Sequence, residues 1–131
     1  MLKRNKDMIK KQTKKNVVKG KIYITSTFNN TMVTVTDEIG NPIVVGSCGM
    51  HGFSGTRKST PYAATVTTEN ALKKAGEKFG FMTADVFVKG IGPGREASLR
   101  AIKASRIDIN RIIDITPVPH NGVRPPKIRR V

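Results

Sequence analysis

The chain has 131 residues, which is the length of one ordinary domain with tails. It is too short for two domains that each bury a sizeable hydrophobic core. Its formal net charge of +15 at pH 7 makes nucleic acid the first partner to expect. The sequence has no apolar run long enough to span a bilayer, and its single cysteine excludes both an internal disulfide and a zinc site built on thiolates, which indicates a reducing compartment.

The chain begins with a basic segment, and we assign residues 1–20 to an N-terminal extension. Up to residue 21 it carries nine lysines and arginines against the single acid Asp7, and Lys14 and Lys15 are candidate RNA contacts. No apolar stretch follows, so we interpret the segment as part of the mature protein and not as a secretory signal. An organellar transit peptide is less firmly excluded, although such peptides are rich in arginine and serine whereas this segment is rich in lysine.

An antiparallel meander of three strands is predicted next. The strands lie at about 22–27, 31–36 and 43–47. In the first strand Ile22, Ile24 and Phe28 share one face, and β-branched residues at period two are typical of strands. Asn29-Asn30 and the segment 38–42 supply the turns.

The second half has the pattern of a βαβ unit. A loop rich in glycine and serine leads to a helix that Ser59 or Thr60 caps, that has Pro61 in its first turn and that ends at Gly80. A strand at 84–88, a glycine loop at 89–94, a helix at 95–105 and a strand at 107–113 follow. These elements predict a single α/β domain over residues 21–116, with a mixed five-stranded sheet covered by helices.

The glycine loop KGIGPGRE, residues 89–96, is a candidate anion site. Backbone N–H groups at the start of a helix favour an anion, but Arg95 stands where the dinucleotide fingerprint needs its third glycine. The alternative interpretation is a tight turn that closes the helix onto the sheet. We favour a turn whose N–H groups meet an RNA phosphate together with Lys89, Arg95 and Arg100.

The loop GFSGTRKST, residues 52–60, is a second candidate for RNA contact. Arg57, Lys58 and Ser59 can donate hydrogen bonds to phosphate and ribose oxygens. The alternative interpretation is a plain connector to the capped helix. Cys48 and His51 lie close together in the sequence, but nothing completes a catalytic triad. A buried cysteine and a loop imidazole are the favoured interpretation.

Residues 117–131 form a basic tail, rich in proline, that contains four cations and no acid. The intervening residues 22–116 carry eleven bases against eight acids, so most of the excess charge lies in the two arms. Prolines keep the tail extended and out of the sheet, which suits an arm threaded along RNA. Asn121-Gly122 is also a site where isoaspartate can form, because glycine leaves the next backbone nitrogen free to attack the asparagine side-chain carbonyl. This attack releases ammonia, and hydrolysis of the resulting succinimide gives isoaspartate.

These motifs together resemble one family. FNNT, CGMHGFSGTRKSTPYAA, VKG with GPGR, and DITPVPHNGVRPPKIRRV are similar to the small-subunit ribosomal protein S11 family in its bacterial or organellar form. The likeness covers residues 20–131. Ile91 stands where bacterial members usually have proline and Val123 where many have cysteine, and neither departure removes a cation.

The resemblance implies a ribonuclease-H-like fold and a structural role. Nucleases of this fold hold a divalent metal with carboxylates that project from the sheet, and the first strand has none, so we expect no catalysis and no metal or other cofactor. The resemblance also implies small-subunit rRNA as partner, in the central domain and at the 3′ end of the platform near the mRNA exit, with neighbouring ribosomal proteins and with neither a membrane nor a second copy of the chain. We expect a cytoplasmic ribosome, with an organellar one not excluded. The residues that match the family's rRNA contacts are Arg57, Lys58, Gly92, Gly94, Arg95, His120, Asn121, Arg124, Lys127, Arg129 and Arg130.

Two other functions remain open at this point. A nucleotide-dependent enzyme would use the glycine loop, and tight binding of ATP or GTP would favour it. A free nucleic-acid-binding protein outside the ribosome is the main alternative, and it would not select structured rRNA over duplex DNA at equal salt.

Overall fold

The structure, a computed structural model, describes residues 16–52 and 55–128. It contains one sheet and two α-helices. The strands are β1 Lys19–Ser26, β2 Thr31–Asp37, β3 Pro42–Ser47, β4 Thr83–Lys89 and β5 Asp108–Asp114. The helices are α1 Pro61–Phe79 and α2 Gly94–Ala104, and two short 3-10 turns, Cys48–His51 and Gly55–Ser59, lie in the loop between β3 and α1.

The five strands form a mixed sheet in the order β3-β2-β1-β4-β5. The central strand β1 pairs antiparallel with β2 and parallel with β4, and β4 pairs parallel with β5. The predicted fold class, a meander followed by a βαβ unit in a ribonuclease-H-like sheet, is confirmed. The main shift in bounds is at β1, which begins at Lys19 because that residue is already paired with Thr83.

The core lies between one face of the sheet and the two helices. Ile22, Ile24 and Val86 are fully buried there, as the alternation of apolar residues predicts. The prediction that Phe28 shares this face is wrong, because β1 ends at Ser26 and the chain turns, with the Thr27 N–H donating to the Asn30 carbonyl (2.8 Å). Ser26 takes the buried position, and Phe28 is 74% exposed at the tip of the hairpin.

Helix α1 has the caps that its sequence predicts. Of the two candidate N-caps, Thr60 fills the position: its hydroxyl accepts from the Ala63 N–H at 3.3 Å. At the other end Gly80 adopts the left-handed conformation (φ 66°), and its N–H donates to the Gly76 carbonyl. Small side chains dominate the buried face of α1, which lets the helix lie close to the sheet: Ala63, Ala64, Thr67, Thr68, Ala71, Leu72 and Ala75.

Within residues 16–52 and 55–128, no helix is long and apolar enough to cross a membrane. Among the same residues, no group of three or more histidine, cysteine, aspartate or glutamate side chains is placed to hold a metal ion.

Candidate nucleic-acid interface

The directions of the strands bring four connections to one edge of the sheet. Strands β1, β3, β4 and β5 all end there, and the antiparallel β2 begins there. We call this the carboxyl edge. It carries the hairpin 27–30, the loop 48–60, the glycine turn 90–93 and the start of the tail at residue 115. Loops at the carboxyl ends of strands are a common place for a ligand site in α/β folds.

The glycine turn packs closely on the β1–β2 hairpin. Gly90 has a φ of +94°, and a Cβ there would lie 2.1 Å from the Ser26 carbonyl oxygen. A Cβ on Gly92 would lie 2.4 Å from the Thr27 carbonyl oxygen, and one on Gly94 would lie 2.0 Å from Thr31 Oγ1. Gly90 and Gly92 therefore let the turn contact the backbone at the end of β1, and Gly94 lets the start of α2 contact the side chain of Thr31. Gly94 is buried, so the structure favours a packing role for it, and contact of Gly92 and Gly94 with RNA stays a prediction.

Arg95 points back into the protein. Its Nη1 donates to the Gly90 carbonyl at 3.0 Å and its Nη2 donates to Asp114 Oδ2 at 2.8 Å. This hydrogen bond is the main reason why the pKa of the Asp114 carboxyl lies well below its usual range, and hydrogen bonds from Thr116 add to the effect. Two of the five N–H donors of Arg95 therefore bind protein atoms, and its phosphate contact stays a prediction. Lys89 is exposed at the end of β4, at the same edge.

Arg100 lies apart from the other candidates. It is on α2, about 9 Å along the helix axis from Gly94, at 1.5 Å per residue. Its side chain is 82% exposed, and Nη2 lies 3.7 Å from Glu96 Oε2 in an ion pair on the helix surface. The structure thus brings Lys89 and Arg95 together at the carboxyl edge and leaves Arg100 on the side of the domain.

The loop between β3 and α1 holds its candidates on short 3-10 turns. Arg57 is exposed and Lys58 and Ser59 are half-buried, with Lys58 Cδ 3.7 Å from the position of a Cβ on Gly49. The Thr60 hydroxyl donates to the Arg57 carbonyl at 2.8 Å, so the helix cap also holds this part of the loop. Cys48 is fully buried and accepts a hydrogen bond from Thr67 Oγ1 at 3.5 Å, which places the thiol in the core.

The tail leaves the sheet as an extended segment. Residues 115–128 form neither helix nor strand, and His120, Asn121, Arg124 and Lys127 are exposed. Asn121 has a φ of 56°, in the left-handed region. Four predicted contacts lie outside the described residues: Lys14, Lys15, Arg129 and Arg130.

Sequence reasoning missed three residues at this edge. Phe28 offers an exposed aromatic ring at the tip of the hairpin. The turn predicted at Asn29-Asn30 could have indicated that Phe28, directly before it, belongs to the turn and not to the strand. Asp114 and Thr116 anchor the start of the tail. An aspartate two residues before a threonine is a known local signal, because the carboxylate accepts the N–H of the second residue along.

The whole chain has a net charge of +15, and its α/β domain gathers loops and the basic tail at one edge of the sheet. This is the architecture of a protein that binds a polyanion. The family model of ribosomal protein S11 matches residues 20–130. The chain belongs to this family, as its motifs predicted. It is accordingly a small-subunit ribosomal protein that binds rRNA, in a structural family and not a family of enzymes.

Proposed function

We propose that the protein is an integral constituent of the small-subunit platform. There it binds rRNA of the central domain and of the 3′ end, near the mRNA exit and beside neighbouring ribosomal proteins, on ribosomes of the cytoplasm. The observation that supports this proposal is the gathering of four connections at the carboxyl edge, because three of them bring cations to the same side of the domain. These cations are Arg57 and Lys58, Lys89, and the cations of the tail.

The domain and the tail have different roles in this proposal. Arg57, Lys58 and Lys89 lie on short, internally bonded segments, so they contact phosphates from fixed positions and orient the domain on the rRNA. The tail lets the protein contact rRNA at a distance from the domain. Residues 117–128 span about 35 Å if they keep a polyproline-like rise of about 3.1 Å per residue. His120 and Asn121 are the tail residues that can meet bases or ribose.

The N-terminal extension supplies a separate contact. Asn16, the first described residue, leads into β1 at the edge of the sheet opposite to the carboxyl edge. A strand of eight residues is about 26 Å long at about 3.3 Å per residue. We therefore propose that Lys14 and Lys15 bind a part of the rRNA different from the part that the tail binds.

Sedimentation tests integral membership of the subunit. Tagged protein from gently lysed cells is run on a sucrose gradient before and after a high-salt wash. We expect it to comigrate with small subunits and to survive the wash, because the folded edge binds as well as the tail. Protein that stays at the top of the gradient, or leaves at modest salt, would favour a free nucleic-acid-binding protein instead.

Tethered cleavage tests which edge faces the rRNA. Cys48 is the only cysteine in the sequence and is fully buried, so an iron chelate can be attached at one introduced cysteine. We would use Asn29→Cys at the carboxyl edge and Met82→Cys, which is 59% exposed at the opposite edge, as the matched control. We expect strong rRNA cleavage from position 29 that is confined to the central domain and 3′ end. Equal cleavage of the same nucleotides from position 82 would contradict the proposed orientation.

A further inference from the structure

The first residues of the tail are attached to strand β4 and to the glycine turn. The Ile115 N–H donates to the Val88 carbonyl at 2.8 Å, which extends the β4–β5 pairing one residue beyond the end of β5. The hydroxyl of Thr116 then accepts from the Gly90 N–H at 3.0 Å. The tail therefore leaves the domain from a defined point at the carboxyl edge.

The carboxylate of Asp114 closes a ring of hydrogen bonds at this point. Its Oδ1 accepts from the Thr116 N–H at 3.0 Å and from the Thr116 hydroxyl at 2.6 Å, and its Oδ2 accepts from Arg95 at 2.8 Å. Arg95 also donates to the carbonyl of Gly90 at 3.0 Å, so Gly90 uses both its N–H and its carbonyl within the ring. We call Gly90, Arg95, Asp114 and Thr116 the latch.

Stability alone is a weak explanation for the latch. The side chains of Arg95 and Asp114 are 31% and 54% exposed, and ion pairs at such exposed sites contribute little to the free energy of unfolding. The latch instead determines the direction in which the tail leaves the domain. Pro117 follows it at once, and proline restricts both its own φ and the backbone of the preceding Thr116. With Pro119 two residues later, the start of the tail is stiff, so an orientation set at Thr116 is carried toward the cations.

We propose that Asp114 and Thr116, held by Arg95, are positioning residues that direct the basic tail toward the rRNA before binding. This inference rests on the proposed function, in which the tail binds rRNA. It assigns Arg95 to orientation of the tail in place of direct contact with a phosphate. Loss of the latch leaves the cations of the tail intact, but the start of the tail must then be ordered during binding.

A double-mutant cycle tests the proposal. The four proteins are the full chain, Asp114→Asn, a chain without residues 120–131, and the combination of the two changes. Asn keeps the shape of the side chain but has one acceptor oxygen in place of two, so it cannot accept from Arg95 at one end and from Thr116 at the other. The dissociation constant for a transcript of small-subunit rRNA is measured for each at several salt concentrations. In the full chain we expect Asp114→Asn to raise it about five- to thirty-fold, the loss expected when one further residue must be ordered. In the truncated chain we expect no effect.

The salt dependence separates orientation from contact. The variant Asp114→Asn keeps every phosphate contact of the tail, so the slope of log affinity against log salt stays unchanged. If Arg95 were mainly a phosphate contact, Asp114→Asn would free it, and binding would become tighter with a steeper slope. That result would overturn the proposal, and so would an equal loss of affinity in the full and truncated chains.

Three controls keep the test independent of folding. Asp108→Asn changes an exposed aspartate at the other end of β5 and is expected to leave affinity unchanged. Thr116→Val removes the hydroxyl and is expected to act like Asp114→Asn, whereas Thr116→Ser retains the hydroxyl and restores affinity. Thermal unfolding confirms that each variant is folded at the assay temperature. A truncated chain that binds as tightly as the full chain would refute the tail's role in the proposed function. A truncated chain that binds weakly, but in which Asp114→Asn has the same effect as in the full chain, would refute only the latch.

Discussion

Substitution of Gly94 by alanine tests whether this glycine serves packing or RNA contact. The added Cβ would lie 2.0 Å from Thr31 Oγ1 and 2.9 Å from the Ala64 Cβ, and neither buried neighbour can move into solvent. Overpacking of a tight core costs about 1–3 kcal/mol, and two contacts this short place Gly94→Ala at about 3 kcal/mol. At about 4 °C per kcal/mol for a domain of this size, the melting temperature falls by about 12 °C.

Gly76→Ala is the matched control, because Gly76 lies inside helix α1 and nothing is within 4 Å of the position of its Cβ. Alanine there stabilises the helix by about 0.5–1 kcal/mol, so the melting temperature rises by a few degrees. Both variants are measured by circular dichroism during thermal and urea unfolding. A Gly94→Ala protein as stable as the parent but weaker in rRNA binding would refute the packing argument and return Gly94 to the RNA contacts.

Three further predictions concern the tail and its anchor. Removal of residues 120–131 deletes four cations and lowers the salt slope of rRNA binding by about 3 units, at about 0.7–0.9 per phosphate contact, and an unchanged slope would mean that the tail does not bind. The pKa of Asp114 is lowered, so its contribution to stability is complete above the ordinary aspartate value of about 3.9 and is lost only as the pH falls below it; a carboxyl NMR titration with a midpoint at or above that value would contradict this. Aged protein is expected to contain isoaspartate at Asn121, less so in Gly122→Ala, and a peptide map that shows only asparagine would count against it.

The sequence predicted the fold well where local signals and the tertiary structure agree. Period-two alternation predicted the meander, and Thr60, Pro61 and Gly80 marked the ends of α1 because caps depend on a few neighbouring residues. Phe28 was misplaced because alternation does not show where a strand stops. The two 3-10 turns between β3 and α1 were also missed, since such short turns leave no periodic pattern.

The candidate site was harder to predict than the fold. Its cations could be found by type, but only the strand order shows that Lys58 and Lys89 share an edge while Arg100 lies elsewhere. The role of Arg95 depends on Asp114, nineteen residues later in the chain, and no local pattern connects the two. A cation in a glycine-rich turn suggests an anion as ligand, and in the structure Arg95 pairs with a carboxylate of the same chain.

The sheet order also constrains when the protein can fold during its own synthesis. The central strand β1 is made early, and β2 and β3 follow at once, but its parallel partner β4 is complete only when residue 89 has been made. Until then one side of β1 presents unpaired N–H and carbonyl groups, which can pair with other chains. Such long-range parallel pairing is also slow to form. A nascent chain that stalls before Thr83 therefore carries an unpaired edge in the strand that becomes the centre of the finished domain.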